Sequence, residues 1–358
     1  MRRMKFSNYL FLLFLGITIL SCGENAAEKK PEFSFNYLGE DKEFQLGDTL
    51  KVEIKALSDK KIDSVVYSLY GKRLASTKGN ENLSQVLQDE KLGKWELTAR
   101  VFEEGQSSEI KEGITIYNDV PPVTYTYRII ASYPHASDAY TQGLEFYKDT
   151  LYESTGQYGE SSLRKLNYET GEVLKSVNLD QNYFAEGMTI FKDKIYQLTW
   201  REGEGFIYDI DTFERIGRFA YTNSKEGWGL TNDGKRFYKS DGTEKIWILD
   251  PETLAENGYI QTLTHDMVST QLNELEWVEG KIYANTYQRD GVAIINPGNG
   301  AIEGVINFSG LRKELGNEAS LDPDNDVLNG IAYNPNTKKL YVTGKNWDKL
   351  FEVEIVKK

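Results

Sequence analysis

Gly143-Leu-Glu-Phe-Tyr-Lys-Asp-Thr-Leu-Tyr-Glu153 has a close echo in Gly187-Met-Thr-Ile-Phe-Lys-Asp-Lys-Ile-Tyr-Gln197, and that echo decides the fold. Each copy is an apolar run, a polar turn and a second apolar run, which reads as strand, turn, strand. The pattern returns in Gly229-Leu-Thr-Asn-Asp-Gly-Lys-Arg-Phe-Tyr-Lys239, in Glu274-Leu-Glu-Trp-Val-Glu-Gly-Lys-Ile-Tyr-Ala284 and in Gly330-Ile-Ala-Tyr-Asn-Pro-Asn-Thr-Lys-Lys-Leu-Tyr-Val342. After each of the first four copies comes a third segment and a turn, as in Asn167-Tyr-Glu-Thr-Gly171 and Asp250-Pro-Glu-Thr253. Successive copies start roughly 42 to 56 residues apart, about the length of one four-stranded propeller blade. Five copies predict a five-bladed β-propeller over residues 123–358, with residues 125–132 free to complete the last blade and close the ring. A stacked solenoid is the alternative.

Upstream, Asp119-Val-Pro-Pro122 marks a stiff joint. Between residues 32 and 118 short runs alternate apolar and polar residues, as in Leu50-Lys-Val-Glu-Ile-Lys-Ala56 and Trp95-Glu-Leu-Thr-Ala-Arg-Val-Phe102. About seven such strands fit a small immunoglobulin-like β-sandwich serving as a spacer or interaction module. The whole chain is thus expected to be all-β.

At the N-terminus, Arg2, Arg3 and Lys5 precede an apolar run from Leu10 to Leu20. About a dozen residues cannot span a bilayer, so residues 1–22 read as a secretory signal. The run ends in Ile19-Leu20-Ser21-Cys22, which resembles a bacterial lipobox and implies lipidation at Cys22; an ordinary signal peptide is the alternative. Residues 23–31 then form a polar tether. This places the protein in the bacterial cell envelope, periplasmic or surface-exposed, touching the membrane through its lipid alone.

Composition narrows the chemistry. The net charge of −13 argues against a nucleic-acid groove, which wants clustered Lys and Arg. Two histidines rule out a three-histidine zinc site, and Cys22 is the only cysteine. Aromatic residues make up 13% of the chain and suit pleated strands.

In a propeller the innermost strands converge on one axis, so residues just before each repeat collect at one mouth. Here they read Tyr140-Thr-Gln-Gly143, Phe184-Ala-Glu-Gly187, Glu226-Gly-Trp-Gly229, Leu272-Asn-Glu-Leu275 and Leu328-Asn-Gly330. Converging polar groups in an aromatic wall make a small-ligand site. The plainer reading is that these residues only satisfy backbone at strand starts.

These stretches resemble the glutamine cyclotransferases of the plant and bacterial type. The likeness runs through Tyr140-Thr-Gln-Gly-Leu-Glu-Phe146, Glu186-Gly187, Gln197-Leu-Thr-Trp200, Glu226-Gly-Trp-Gly-Leu230, Leu272-Asn-Glu-Leu-Glu276, Leu328-Asn-Gly-Ile-Ala332 and Thr343-Gly-Lys-Asn-Trp347. It implies a five-bladed propeller converting an N-terminal glutamine, on a peptide or protein or as free glutamine, into pyroglutamate with loss of ammonia. The resemblance assigns Glu186 as general acid/base, and Gln142 and Asn273 as groups hydrogen-bonding the substrate or its oxyanion. Trp200, Trp228, Tyr140 and Phe184 match aromatic pocket positions, and Lys345 a lysine near the site. Two departures are Tyr140, where phenylalanine is usual, and Tyr287, where the family tends to have tryptophan; both suggest an altered substrate preference. The chemistry needs no cofactor, because a tethered nucleophile leaves mainly proton transfers to catalyse. The competing reading is a non-catalytic envelope propeller binding peptides or glycans.

Asp322-Pro-Asp-Asn-Asp326 spaces carboxylates at alternate positions, as calcium loops do. Without the glycine and distal glutamate of an EF-hand it reads as a solvated loop, with a structural divalent ion left open.

Overall fold

The computed structural model describes residues 32–39 and 42–358. The expected export signal, Cys22 and the expected tether lie outside the described residues. The fold is all-β; the described residues contain no α-helix and two short 3₁₀ turns, Leu311–Glu314 and Glu318–Ser320.

Residues 33–117 form two sheets around a shared core. One holds Phe33–Tyr37, Thr49–Ala56 and Leu83–Val86. The other orders Glu43–Gln45, Gln106–Tyr117, Gly93–Glu103, Ser64–Leu69 and Lys72–Lys78, with only the first pair parallel. Ser64–Leu69 buries alternate residues Val65, Tyr67 and Leu69, as a period of two demands when one face meets a core.

The remaining chain builds three four-stranded antiparallel sheets in sequence order, over residues 141–178, 185–220 and 230–261. An eight-stranded sheet follows. Its halves are Leu272–Val278, Lys281–Thr286, Gly291–Ile295 and Ile302–Asn307 on one side, and Leu328–Asn334, Lys339–Gly344 and Lys349–Lys357 on the other. Val123–Pro134 joins them, antiparallel to Lys349–Lys357 and parallel to the end of Ile302–Asn307.

In the first two four-stranded sheets burial grades from the first strand to the last. Every residue of Ala185–Phe191 is buried, whereas Glu172–Asn178 is mostly exposed. A strand buried on both faces has neighbours on both sides, and the clusters show which. Tyr152 and Leu163 pack with Met188 and Ile195 of the next sheet. Tyr196 and Leu198 pack with Phe237 and Trp247 of the third. Leu144 and Leu151 pack with Ala332 and Tyr341 of the last. The first strands accordingly touch one another in a closed cycle.

That cycle explains the repeated glycines. A side-chain carbon at Gly229 would lie 2.0 Å from the Asn273 carbonyl, and one at Gly187 2.6 Å from backbone of residues 228 and 230. The repeated Asx-Thr turns are equally physical. The side-chain oxygens of Asn167, Asp209 and Asp250 each accept two backbone N–H groups two and three residues on, closing the turn from third to fourth strand.

The two regions are packed together. Gln261 accepts from the Lys94 N–H at 2.9 Å and donates to its carbonyl at 3.2 Å. Trp95 stacks on Tyr259 at 6.2 Å, and Leu263 and Ala301 complete the N-terminal core.

First strands are sheet edges, so their free N–H groups need acceptors. Carboxyls on the axis supply them. Glu274 accepts from the Leu144 and Ile331 N–H groups, Glu276 from Tyr333 and Glu145 from Ile190. Burial pushes the Glu274 and Glu276 carboxyls well above their ordinary range and raises Glu145 from 4.5 to about 7. Between those limits the unfolded chain has released protons that the folded chain retains, so stability falls as pH rises from about 4.5 to about 7. Glu145→Gln keeps an acceptor oxygen for Thr189 and Ile190 and removes the titration. Thermal melts across that window are expected to show a shallower decline than wild type; an unchanged slope would refute the assignment.

Candidate active site

Five backbone hydrogen bonds bring the start of each first strand beside the end of its second. Gly156 N donates to Tyr140 O, Trp200 N to Phe184 O, Trp228 N to Ser240 O, Tyr287 N to Gln271 O and Lys345 N to Val327 O. Side chains from all five repeats therefore gather at one end of the axis. There, Tyr140, Gln142, Phe184, Glu186, Trp200, Trp228, Asn273, Tyr287 and Lys345 line a single cavity of about 220 Å³. All nine side chains singled out in the sequence meet in it.

Backbone irregularities aim the polar ones. Register shifts fall between Thr141 and Gly143, Ala185 and Met188, Leu272 and Leu275, and Leu328 and Ile331. Gln142, Glu186 and Asn273 sit inside three of these shifts. Bulges re-aim a side chain that regular alternation would point elsewhere.

Glu186 is 5% exposed, and its Oε2 has no hydrogen-bond partner among the described residues. Desolvation pushes its carboxyl well above the ordinary range; the Lys345 cation opposes this, and Glu226 and Glu202 add to it. Its backbone is held by Ser154, whose hydroxyl donates to the Glu186 carbonyl and accepts from Gln197 Nε2. Lys345 is 3% exposed, with Nζ 4.6 Å from the ring centre of Tyr140 and 5.2 Å from that of Tyr287. Burial lowers its ammonium to about 8, with Glu186 and Asp326 pulling the other way.

Gln142 accepts from Asn329 Nδ2 through Oε1 at 3.0 Å, which leaves its own amide N–H groups for the cavity. Asn273 Oδ1 is buried without a partner among the described residues. Tyr140 meets Phe184 edge-on at 6.2 Å, and Trp228 meets Tyr287 edge-on at 5.9 Å.

Some mouth positions take other places. Glu274 turns down the axis onto the N–H groups of Leu144 and Ile331. Asn329 sits behind Gln142, and Glu226 bonds the indole N–H groups of Trp200 and Trp228. Asn325 lines the cavity without having been foreseen as a site residue. It comes from the acidic loop read as a possible ion site. There Asp322 accepts from the Asp324 N–H and the Asn325 side chain, and Asp326 from the Asp322 N–H and Asn346. Among the described residues no three His, Cys, Asp or Glu side chains are grouped to hold a metal ion. A larger hollow of about 450 Å³ opens beside Glu145, Glu276, Trp277 and Tyr333, but its buried carboxyls serve the first strands' N–H groups.

The cavity thus offers a desolvated carboxyl, a buried cation, amide donors and an unpaired acceptor between aromatic walls. That set suits proton transfer at a small polar group bearing an amine. The family model for glutamine cyclotransferase matches residues 107–355. Glutaminyl-peptide cyclotransferase of Arabidopsis thaliana is 38% identical over 228 residues, 63% of this chain and 70% of the plant protein. The crystal structure of Myxococcus xanthus glutaminyl cyclase matches with a TM-score of 0.62 at 34% identity, over 66% of this chain and 99% of that one. The chain belongs to the glutamine cyclotransferase family.

Proposed function

We propose that this protein is a glutaminyl-peptide cyclotransferase, closing N-terminal glutamine to pyroglutamate with release of ammonia, and that Glu186 carries the protons. The observation that supports this most is the buried Glu186 carboxyl with one oxygen unpaired, facing Lys345 in an aromatic cavity. The substrate's α-amine attacks its own side-chain amide carbon. A C–N bond forms, the carbonyl oxygen becomes an oxyanion, and the amine loses a proton. Glu186 takes that proton and delivers it to the departing amide nitrogen, which leaves as ammonia as the carbonyl re-forms. A raised pKa makes the ionised carboxyl a stronger base for the amine's proton. The Gln142 amide and the Lys345 ammonium stabilise the oxyanion, and Asn273 Oδ1 receives an N–H of the substrate. Trp200, Trp228, Tyr140, Phe184 and Tyr287 hold the folded-back conformer. No cofactor enters this sequence of steps.

The same proposal takes the closed cycle of strand contacts as a five-bladed propeller over residues 123–358, completed by Val123–Pro134, and residues 32–118 as an immunoglobulin-like sandwich. It keeps the protein lipid-anchored through Cys22 in the cell envelope, where N-terminal glutamines of exported peptides are within reach.

The test is ammonia and pyroglutamate release from a short peptide with N-terminal glutamine, using protein beginning after Cys22, with and without chelator. Turnover that survives chelator is expected. A folded protein that releases neither product above background overturns the enzyme reading, and the cavity should then be screened for peptide and glycan ligands.

A further inference from the structure

Glu226 stands outside the cavity lining but controls two of its walls. Its Oε2 accepts the indole N–H groups of both Trp200 and Trp228, each at 2.9 Å. Its Oε1 accepts from Arg201 Nε at 2.9 Å, and the Arg201 guanidinium lies 3.7 Å over the Trp200 ring. The two indoles come from different repeats. Trp200 follows the second strand of one sheet, and Trp228 precedes the first strand of the next. One carboxylate bonded to both fixes the angle between them, which no packing within a single sheet does.

The loop that presents Glu226 is itself pinned. Lys239 is fully buried; its ammonium donates to Ser224 Oγ and to the Glu226 carbonyl at 2.8 Å, and lies 3.2 Å from Glu256 Oε1. The Glu256 carboxylate accepts the N–H groups of Asn223 at 2.6 Å and Ser224 at 2.8 Å. A buried ion pair costs desolvation, and removing one of its partners leaves the other charge buried and uncompensated. Here the pair fixes residues 222–226.

We propose that Glu226 is a positioning residue for the cyclisation: it clamps Trp200 and Trp228 at the separation that admits a folded-back glutamine side chain, and touches no substrate itself. This rests on the cyclotransferase reading of the cavity. Desolvation works against the Glu226 charge, but the hydrogen bonds from Trp228, Arg201 and Trp200 outweigh it and hold the carboxyl below its ordinary range. A buried indole N–H needs a partner, and an ionised oxygen holds two such donors more tightly than a neutral amide oxygen would.

The experiment uses the full ¹⁵N-labelled chain, whose six tryptophans each give one indole N–H cross-peak. Glu226→Gln is expected to move the Trp200 and Trp228 cross-peaks and leave the other four in place. Because the walls hold substrate and transition state alike, KM for a glutaminyl peptide should rise on the order of 10-fold with kcat changed less. A partly unfolded variant would instead lower kcat and leave KM alone. Glu226→Asp keeps the charge that balances Arg201 but falls a methylene short, and should also displace the indole peaks and raise KM. Indole peaks that stay in place in both variants overturn the clamp, as does an unchanged KM once the peaks have moved. Wild-type protein that neither binds glutaminyl peptide nor releases ammonia sinks the cyclotransferase reading instead, and the cross-peaks judge the clamp in either case.

Discussion

Glu186→Gln is expected to lower kcat for ammonia release from a glutaminyl peptide by at least ~100-fold, with KM little changed. Glutamine matches glutamate in shape and retains a carbonyl oxygen, so the cavity keeps its form. On the proposed mechanism the variant loses the capacity to take a proton from the attacking amine and return it to the leaving nitrogen. Glu186 is buried, its Oε2 has no partner among the described residues and its carboxyl is held well above the ordinary range, so replacing it removes a desolvated acid and should not lower the melting temperature. That separates a catalytic loss from a folding loss. Initial rates of ammonia release, compared with binding of a non-cyclising peptide, make the measurement. A variant within about tenfold of wild type would remove Glu186 from the proton path and leave the cavity without another carboxyl on its lining.

The cavity residues at the starts of first strands, Tyr140, Gln142, Phe184, Glu186, Trp228 and Asn273, were legible in the sequence for a physical reason, whereas Trp200, Tyr287 and Lys345, which follow second strands, stood out only through the family resemblance. A strand that begins beside the axis puts its first residues at the mouth whatever its sequence, and the repeats mark where each such strand begins. Tyr140-Thr-Gln and Phe184-Ala-Glu could therefore be assigned to one cavity before any contact was known. The direction of individual side chains was not legible. Asn273 and Glu274 are adjacent, yet one faces the cavity and the other caps N–H groups along the axis. The register shift between Leu272 and Leu275 governs that division, and no residue type announces it. Asn325 escaped for a different reason. It sits in the long connection before the fifth repeat, where no strand period operates and three aspartates suggested an ion. Glu226 looked like one more mouth acid, because a carboxylate that bonds two indoles is indistinguishable in sequence from one that faces substrate. The grip of Gln261 on the Lys94 backbone joins residues 167 apart and has no sequence signature.

Lys345→Met should change the shape of the pH profile as well as its height. On the proposed mechanism two groups set the limits in the wild type. Glu186 must be ionised to accept the amine's proton, and Lys345 must be charged to meet the oxyanion. Burial lowers the Lys345 ammonium to about 8, so activity is expected to fall on the alkaline side as that proton leaves. The substrate's amine titrates near 8 in every variant alike, so differences between variants report the enzyme. Methionine keeps the apolar stem between Tyr140 and Tyr287 and removes the cation. The alkaline limb should then disappear. The acid limb should move to higher pH, because the cation that opposes Glu186's raised pKa is gone while Glu226 and Glu202 still face it. At the wild-type optimum the rate should fall on the order of 10²-fold, the loss typical of one oxyanion partner. Rates of pyroglutamate formation from roughly pH 5 to roughly pH 10 decide the matter. An alkaline limb that survives in Lys345→Met would belong to some other group and reduce Lys345 to a wall of the pocket. A lost alkaline limb with an unmoved acid limb would separate the two residues, leaving Lys345 on the oxyanion and Glu186 beyond the reach of its charge.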